Sequence, residues 1–404
     1  MVMHRSAGLT SFFLLTATLQ AQTQPGDWLV ASIGTTQAGL FRLTPPTGAL
    51  QVLSAPPQFF PNGVLMDADN TGMLALDLFN TIHAVTPAGG LTPGLVLANV
   101  PGQMALDQDG TFVCATEWGG LVRVDLAAQT ETPLWMHTRE WTYGVCVDGD
   151  TGDYIVAGLY YLTDGRLTRV HRRTGVGTVL ASGLGQVTRV AFDPLSGEFL
   201  VTNGDPLAPL IRVRRDGSAT SMGMFVPAGA SAVHIDQETG NILVAGTTAL
   251  RELSPLGMQL RSVPLAAGFQ AADLARYGER KVSGFGPATP GSPYSVRFAF
   301  PGRAGRTYVA MLATALRPGI PLGDGTGRVI SLQPDWLFMA SLGGLPGLTQ
   351  GFVGTLDAQG NATGTLHIPA TLAPGTRLYL SAVVLDATAP SGLVTANSWG
   401  FTVN

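Results

Sequence analysis

Five aromatic residues have the side-chain types that bind sugars or peptides. They are Trp118, Trp141, Tyr143, Tyr160 and Tyr161. Aromatic rings with flat apolar faces and polar edges suit carbohydrate or peptide ligands. Each residue follows or precedes a short apolar run, in segments that would connect strands, so we predict that the five side chains line one rim of the fold. The alternative role for these rings is packing between neighbouring sheets.

Signatures of enzymatic catalysis are scarce. There is no Gly-x-Ser-x-Gly motif, and Gly183-Leu184-Gly185 precedes a strand-like run rather than the helix that a phosphate loop requires. Residues 148–153 resemble a calcium loop but lack its bidentate glutamate, and they occupy a repeated turn. No two histidines of the chain after residue 21 have metal-ligand spacing: His83, His137, His171, His234 and His367. These observations favour a non-enzymatic binding or scaffolding protein.

A repeated unit organises residues 25–278. A turn glycine followed by an apolar strand recurs about every 40 residues, a period typical of propeller blades made of four short strands. An apolar strand ending in aspartate precedes most copies, as in Val233-His234-Ile235-Asp236, and an apolar-x-Arg-apolar strand follows, as in Leu121-Val122-Arg123-Val124. The leading glycines are Gly26, Gly72, Gly110, Gly152, Gly197 and Gly240.

The two ends of the repeat region predict how it closes. The first copy, at Trp28, has no strand before it, and an extra strand at 269–275 follows the last copy. Pairing these two strands would remove the free sheet edges. The predicted fold class is therefore all-β, a six-bladed β-propeller closed by pairing of its N- and C-terminal strands. His234 and Asp273 lie within inner strands, where they face either the central channel or a neighbouring blade.

The motifs Asp-x-x-Thr-Gly, Ile-Leu-Val-Ala and Leu-x-Arg-Val resemble those of six-bladed propellers of the NHL-repeat and SMP-30/gluconolactonase-like kind. In the gluconolactonase-like proteins a Glu, an Asn and an Asp from one set of loops hold a divalent cation. The resemblance therefore implies that Glu117, Asn203 and Asp205 form a calcium site, because calcium prefers oxygen ligands. Asn62, in a Pro-Asn-Gly turn similar to one in that family, would join them. The implied alternative function is a calcium-dependent lactonase or related hydrolase.

The repeat ends before a second region. Residues 279–293 are rich in Gly, Pro and Ser and are predicted to be a linker. Alternating runs in 294–404 predict about seven strands in an Ig-like β-sandwich, an accessory domain. A turn at 357–360 is predicted to join two of these strands as a hairpin. The region resembles C-terminal sandwich modules of secreted bacterial proteins.

Charge and the amino terminus indicate where the protein acts. The net charge of −4 is too small to imply a nucleic-acid partner. His4 and Arg5 precede an apolar run at 9–19, and Leu19-Gln20-Ala21 follows, so residues 1–21 are predicted to be a signal peptide. The mature protein is then secreted, periplasmic or on the cell surface, without a membrane span. We predict a protein or glycan ligand at the propeller mouth, and no cofactor other than calcium in the alternative function.

The chain has two cysteines, Cys114 and Cys146. An exported protein is allowed a disulfide, and the repeat alignment puts the two residues in adjacent strands of neighbouring blades. Sequence alone does not give the separation that a disulfide requires. We favour two buried thiols that behave as small apolar side chains.

Overall fold

The computed structural model describes residues 26–34, 37–44, 50–67, 70, 72–118, 120–205, 209–222, 225–227, 229–325 and 327–404. The predicted signal peptide lies outside the described residues. The described part of the chain is all-β and is built from antiparallel sheets. Within it, no helix has the length and apolar character needed to cross a membrane.

Six four-stranded antiparallel sheets cover residues 28–276. The strands of the first three are β1 (Trp28–Ile33), β2 (Ala38–Leu43), β3 (Leu50–Ser54), β4 (Pro61–Met66), β5 (Met73–Asp77), β6 (Thr81–Val85), β7 (Leu91–Val96), β8 (Pro101–Leu106), β9 (Phe112–Thr116), β10 (Gly120–Asp125) and β11 (Thr130–Met136). The others contain β12 (Glu140–Val147), β13 (Tyr154–Tyr160), β14 (Asp164–Val170), β15 (Gly177–Ala181), β16 (Val187–Phe192), β17 (Phe199–Asn203), β18 (Leu210–Val213), β19 (Ala219–Ser221), β20 (Ala232–Ile235), β21 (Ile242–Ala245), β22 (Ala249–Leu253) and β23 (Gln259–Pro264).

The remaining strand of this region, β24 (Ala271–Arg276), joins the first sheet. Its order is β24-β1-β2-β3, and Trp28 lies opposite Arg276 in the antiparallel pair. The first strands of successive sheets contact one another from β4 through β8, β12, β16 and β20 to β24, and β24 in turn contacts β4. These inner strands therefore surround a central channel.

The turn aspartates act as the repeat predicts. Asp193 accepts hydrogen bonds from the Leu195 N–H (3.0 Å) and from the Ser196 hydroxyl (2.7 Å). Gly197, in the same turn, has a φ of +76°, which an L side chain rarely adopts. Apolar side chains of adjacent sheets then pack face to face, as Leu167 and Val201 do in one cluster. The stabilising contacts of this region are therefore mainly between neighbouring sheets.

Most inner strands carry a β-bulge near their first residues. The register shifts between Pro61 and Gly63 in β4, and β8, β12 and β16 shift at the same end. A bulge turns the extra residue away from the sheet and changes the direction of its side chain. The close approach of these strands also requires glycine: a Cβ on Gly102 would lie 2.3 Å from the Tyr143 carbonyl oxygen. The bulged ends form the rim at which the predicted ligand residues lie.

The C-terminal region contains two further sheets. Their strands are β25 (Val282–Phe285), β26 (Pro293–Ala299), β27 (Thr307–Ala313), β30 (Thr349–Gln350), β31 (Val353–Thr355), β32 (Asn361–His367), β33 (Arg377–Leu385), β34 (Leu393–Thr395) and β35 (Trp399–Thr402), with a small pair β28 (Ile320–Pro321) and β29 (Val329–Ile330) and the helix α1 (Trp336–Ser341). One apolar cluster, which includes Phe298 and Leu380, fills the space between the two main sheets. β25 lies within 279–293, so part of the predicted linker is a strand of this region.

The predicted hairpin at 357–360 is wrong. The turn itself forms, since the Gly360 N–H donates to the Asp357 carbonyl (3.0 Å). However, β31 before the turn pairs with β27, whereas β32 after it pairs with β26 and β30. The turn thus carries the chain from one sheet to the other, because Phe352 and Leu356, which flank β31, and Leu366 of β32 pack in the same core from opposite sheets.

The C-terminal region packs against the end of the channel where the inner strands finish. Tyr294 donates from its hydroxyl to the Gln108 carbonyl (3.2 Å), and Arg377 donates to the Gly149 carbonyl (3.0 Å). The Tyr379 hydroxyl donates to the Asp150 carbonyl (2.9 Å). These acceptors belong to the turns after β8 and β12. The C-terminal region therefore covers this end of the channel.

Both cysteines are free and buried, which confirms the interpretation that they are thiols. Cys114 packs with Leu76 and Val124, whereas Cys146 belongs to a different apolar cluster with Ile155. Burial raises the pKa of both thiols, so neither is a ready nucleophile at neutral pH.

Candidate functional site

Trp118 and Trp141 lie together on the rim at which the inner strands begin. Their ring centroids are 4.7 Å apart and the ring planes are inclined by 50°. Trp118 follows β9, and its side chain is 61% exposed, although a large apolar group gains free energy from burial. Trp141 is held in β12 opposite Leu159 of β13. Trp141 is partly buried. The two indoles form the centre of a partly exposed patch, which we call the aromatic surface.

Tyr160 and Tyr161 extend the aromatic surface along the turn after β13. Their ring centroids are 4.5 Å apart, and the Arg166 guanidinium lies 3.8 Å from the centroid of Tyr160. Tyr161 and Leu162 both have positive φ, 50° and 65°, and both are more than half exposed. Bulky residues rarely adopt this conformation, and it commonly marks functional sites. The turn thus presents two apolar side chains to solvent in a strained conformation.

Tyr143 does not stack with the other predicted aromatic residues. It is the bulged residue of β12, where the register shifts between Thr142 and Gly144. Its half-buried side chain lies near Glu117, and burial together with that carboxylate raises the pKa of its phenol. The structure therefore places four of the five predicted rings at this rim as two separate contacting pairs, and Tyr143 stacks with neither pair.

A search of protein-family models and a search of curated proteins each find no match. Among solved structures, a chain from the crystal structure of a nidogen–laminin complex is similar with a TM-score of 0.53 and 12% identity, over 62% of this chain and 98% of that one. The chain contains a β-propeller. A gluconolactonase from Xanthomonas campestris is also similar, with a TM-score of 0.49 and 12% identity over 63% of this chain and 92% of that one. At these identities the likeness concerns the fold alone.

The mouth of the propeller channel is crossed by a buried arginine. Arg189, in the bulge of β16, donates to the carbonyl (2.7 Å) and side-chain oxygens (3.0 Å) of Asn62 and to the Tyr143 carbonyl (3.0 Å). Gln103 accepts backbone N–H groups of Val145 and Val190. Arg189 of β16 thus contacts β4, and Gln103 of β8 contacts β16. These side chains therefore connect inner strands that are not adjacent around the channel. Burial lowers the pKa of Arg189, but a guanidinium stays charged at neutral pH.

The four residues proposed for calcium do not form an open set of ligands. The Asn62 side-chain oxygen accepts a hydrogen bond from Arg189, whose positive charge would repel a second cation. The Asn203 side-chain oxygen accepts the N–H groups of Gln186 (2.9 Å) and Asp205 (3.1 Å). Glu117 is half-buried, and burial, partly opposed by Arg189, raises its pKa. In the described part of the chain, no three His, Cys, Asp or Glu residues cluster as a metal site. These residues therefore do not fit a calcium ion without rearrangement.

Removing calcium is accordingly expected to leave the protein unchanged. We expect the same unfolding temperature with about 1 mM CaCl2 as with a chelator, because a site with a dissociation constant of about 10 µM would add about 2.7 kcal/mol at that concentration. Differential scanning calorimetry and metal analysis of the purified protein check this expectation. A calcium-dependent rise of several degrees would instead support the calcium site, and Asn203→Ala should then abolish it.

The channel below Arg189 contains further ionisable groups. The sequence left open whether two of them, His234 and Asp273, face the channel. His234 and Asp273 both line it, so they face the channel rather than a neighbouring blade. The His234 Nε2 atom lies 2.7 Å from a carboxylate oxygen of Glu279. Burial opposes the charge of His234, but Glu279, Asp236 and Asp273 outweigh it and raise its pKa.

Sequence reasoning missed Arg189 and Glu279. Arg189 occupies the strand position that is Gly63 in β4, Gln103 in β8, Gly144 in β12 and Ala232 in β20. A charged residue at a position that is small in three of these strands is a detectable signal once the bulges are known. Glu279 gave no signal, because its segment appeared to be the start of a solvated linker.

Proposed function

We propose that this protein is a secreted, non-enzymatic binding protein that uses the aromatic surface at the propeller mouth to capture a protein or glycan. The observation that carries the proposal is the pair of indoles Trp118 and Trp141, whose rings lie 4.7 Å apart on the rim and of which Trp118 is largely exposed. Trp and Tyr are the residues that most often dominate binding energy at interfaces. Neighbouring aromatic side chains that remain partly exposed at one rim are typical of an interaction site.

Two features of the same rim support this function. Tyr161 and Leu162 hold a strained backbone conformation that exposes their side chains, which costs about 1 to 3 kcal/mol for each residue and persists mainly where function requires it. The opposite end of the channel is covered by the C-terminal region through Tyr294 and Arg377. The loop-rich mouth is thus the propeller end that remains available for a ligand.

We further propose the finer architecture and the location. The six sheets are the blades of one ring, which the pairing of β24 with β1 closes, and residues 294–404 form an Ig-like sandwich. The chain is exported after cleavage behind Ala21, as its apolar amino-terminal run suggests. Amino-terminal sequencing of the exported protein tests the cleavage, and a mature chain that retains Leu19 contradicts it.

Alanine replacement of Trp118 tests the binding function. The purified protein is immobilised and exposed to arrays of oligosaccharides and of extracellular proteins. We expect Trp118→Ala to weaken capture of the retained ligand about 30-fold or more, the effect of a binding hot spot. Trp336→Ala is the matched control, since Trp336 on α1 is also largely exposed, at 73%, but lies outside the aromatic surface. Calorimetry should show equal unfolding temperatures for both variants.

The outcomes separate the proposed functions. Equal capture by wild type and Trp118→Ala, or loss of capture with Trp336→Ala instead, contradicts binding at the aromatic surface. The alternative, a calcium-dependent lactonase or related hydrolase, requires calcium-stimulated hydrolysis of a lactone by the same preparation. Hydrolysis that depends on Glu117 and Asn203 would replace the binding function with that activity.

A further inference from the structure

A row of four aromatic rings crosses the rim from the third sheet to the fourth. The ring centroids of Trp135 and His137 are 5.7 Å apart, and the next distance, from His137 to Tyr160, is 6.0 Å. Tyr160 and Tyr161 follow at 4.5 Å. Trp135 and His137 lie at the end of β11, and the two tyrosines lie at the end of β13. Side chains of two adjacent sheets thus form one continuous strip, which we call the ring row.

Two guanidinium groups lie on the tyrosine end of the ring row. The guanidinium carbon of Arg166 is 3.8 Å from the Tyr160 centroid, and that of Arg139 is 5.6 Å from the Tyr161 centroid. Cations are attracted to the faces of aromatic rings, which holds these side chains against the row. Arg139 is nevertheless exposed to solvent. The row therefore presents positive charge together with its rings.

The carboxylates near the ring row do not cancel both positive charges. Asp164 pairs with Arg166 at 2.6 Å. Glu140 is buried, where it accepts a hydrogen bond from the Thr168 hydroxyl (3.4 Å), and burial raises its pKa. Arg139 makes no ion pair with a carboxylate in the described part of the chain, and its charge acts on the two tyrosines instead. Arg139 thus remains available to an anionic ligand.

The Tyr160 hydroxyl shows which sign of charge this point favours. The Arg139 guanidinium beside it is the main cause that lowers the pKa of the Tyr160 phenol, and Tyr161 and Arg166 act in the same direction. A lowered phenol pKa means that the surroundings favour the negatively charged form. The tyrosine end of the ring row therefore attracts an anion, although Asp164 lies nearby.

The shape of the ring row favours a carbohydrate over a peptide. Each ring combines an apolar face with a polar edge atom, and sugars present the matching combination of C–H faces and hydroxyl groups. An extended peptide would instead add a strand to a sheet edge. The tyrosine end is a turn in which Tyr161 and Leu162 have positive φ (50° and 65°), so it offers no strand edge.

We propose that the ring row binds an acidic polysaccharide, whose sugar rings contact Tyr160 and Tyr161 and one of whose carboxylate groups contacts Arg139. This inference rests on the proposed binding function and names the class of its ligand. The planar guanidinium can donate two parallel hydrogen bonds to a carboxylate, which fixes the orientation of the charged sugar. The rings supply the apolar contact that a simple anion would lack.

Titration calorimetry of the full-length protein with fragments of galacturonan, alginate and hyaluronan tests this inference. The methyl esters of the same fragments are the uncharged counterparts. We expect at least one acidic fragment to bind about tenfold more tightly than its ester, because the ester loses the charge-assisted hydrogen bonds. Arg139→Gln should abolish this preference. Arg214→Gln is the matched control, since Arg214 is also largely exposed, at 61%, but lies on another sheet; it should bind as the wild type does.

The contrary outcomes are distinct. Equal affinity for acid and ester, an unchanged preference in Arg139→Gln, or an equal loss in Arg214→Gln overturns the inference, as does tighter binding of oligoglutamate than of every fragment. Arg139 is exposed, so Arg139→Gln should unfold at the wild-type temperature, which calorimetry verifies. If no acidic fragment binds but a neutral glycan or a protein is retained through Trp118, the acidic ligand is wrong and the proposed binding function stands. If nothing is retained in either experiment, both are wrong.

Discussion

Replacing Arg189 by methionine is expected to lower the free energy of unfolding by about 3 to 5 kcal/mol, as removal of one member of a buried charged network does. Arg189 is 96% buried, and its guanidinium donates hydrogen bonds to oxygens of Asn62, Tyr143 and Thr188 from three inner strands. Methionine fills much of the same volume but donates no hydrogen bond, so these acceptors lose their donor and Asp273 loses a nearby positive charge. The inner strands around the channel mouth would then be held by fewer contacts.

Chemical denaturation of Arg189→Met, Asp273→Asn and the double variant measures this effect. The pKa of Asp273 is raised in the folded protein to about 6, so its ionisation opposes folding. This cost develops between the unfolded pKa near 4 and the folded pKa, and it is complete above the folded pKa. Asp273→Asn should therefore stabilise the protein by up to about 3 kcal/mol above pH 7 and by little at pH 4. The double variant should be more stable than Arg189→Met alone. If Arg189→Met unfolds at the wild-type denaturant concentration, Arg189 does not connect the inner strands as described.

Asp148→Asn is expected to lower the free energy of unfolding at pH 7 by about 2 to 4 kcal/mol, a range reduced because Arg215 is about one-third exposed. The fully buried Asp148 carboxylate accepts two hydrogen bonds from Arg215 (2.8 and 2.6 Å) and one from the Thr151 hydroxyl (2.8 Å). Asparagine can accept only part of this set and leaves Asp150 as the remaining counter-charge of the guanidinium. The same turn also contacts the C-terminal region through Gly149 and Asp150, so the packing of that region should weaken as well.

The difference in the free energy of unfolding between wild type and Asp148→Asn should change with pH in a defined direction. Burial opposes the charge of Asp148, but Arg215 and its hydrogen bonds outweigh burial and lower its pKa. A lowered pKa adds stability above the unfolded value near 4, and this stability is lost as the pH falls through the folded pKa. Denaturation of wild type and Asp148→Asn between pH 3 and pH 8 should show a gap that narrows in acid. A gap that stays constant would contradict the charge-based explanation, and Asp216→Asn, which changes an exposed turn carboxylate, should show little effect at any pH.

The fold of the repeat region could be predicted from the sequence, because the interactions that form each turn join residues that are close in the chain. The turn residues Asp193 and Gly197 need only their own neighbours to form the predicted turn, and the alternation of apolar residues assigns one face of each strand to the core. The pairing of β24 with β1 could be anticipated from the missing first strand at Trp28. The β-bulges could not be predicted from the sequence. A one-residue shift in strand register, such as that at Asn62, depends on which strand lies across the channel.

The residue types at the candidate site could be predicted from the sequence, but the contacts between those residues could be predicted less well. Trp118 and Trp141 were identified as rim aromatics, and their mutual contact follows from loops of adjacent blades. Glu117, Asn203 and Asp205 had suitable oxygen atoms, but hydrogen bonding within the loops takes up the Asn203 oxygen. Whether a side-chain oxygen is free for a ligand depends on backbone N–H groups that only the folded loop brings close.

The shared sheet of β1 and β24 has a consequence for biosynthesis. Until the segment 271–276 has emerged from the ribosome, β1 has a neighbour on only one side and exposes a row of unsatisfied amide and carbonyl groups. Nascent chains therefore pass through a long interval in which this edge is available to other molecules. Chains truncated before residue 271 should associate with one another, and a chaperone that shields edge strands should raise the yield of the intact protein.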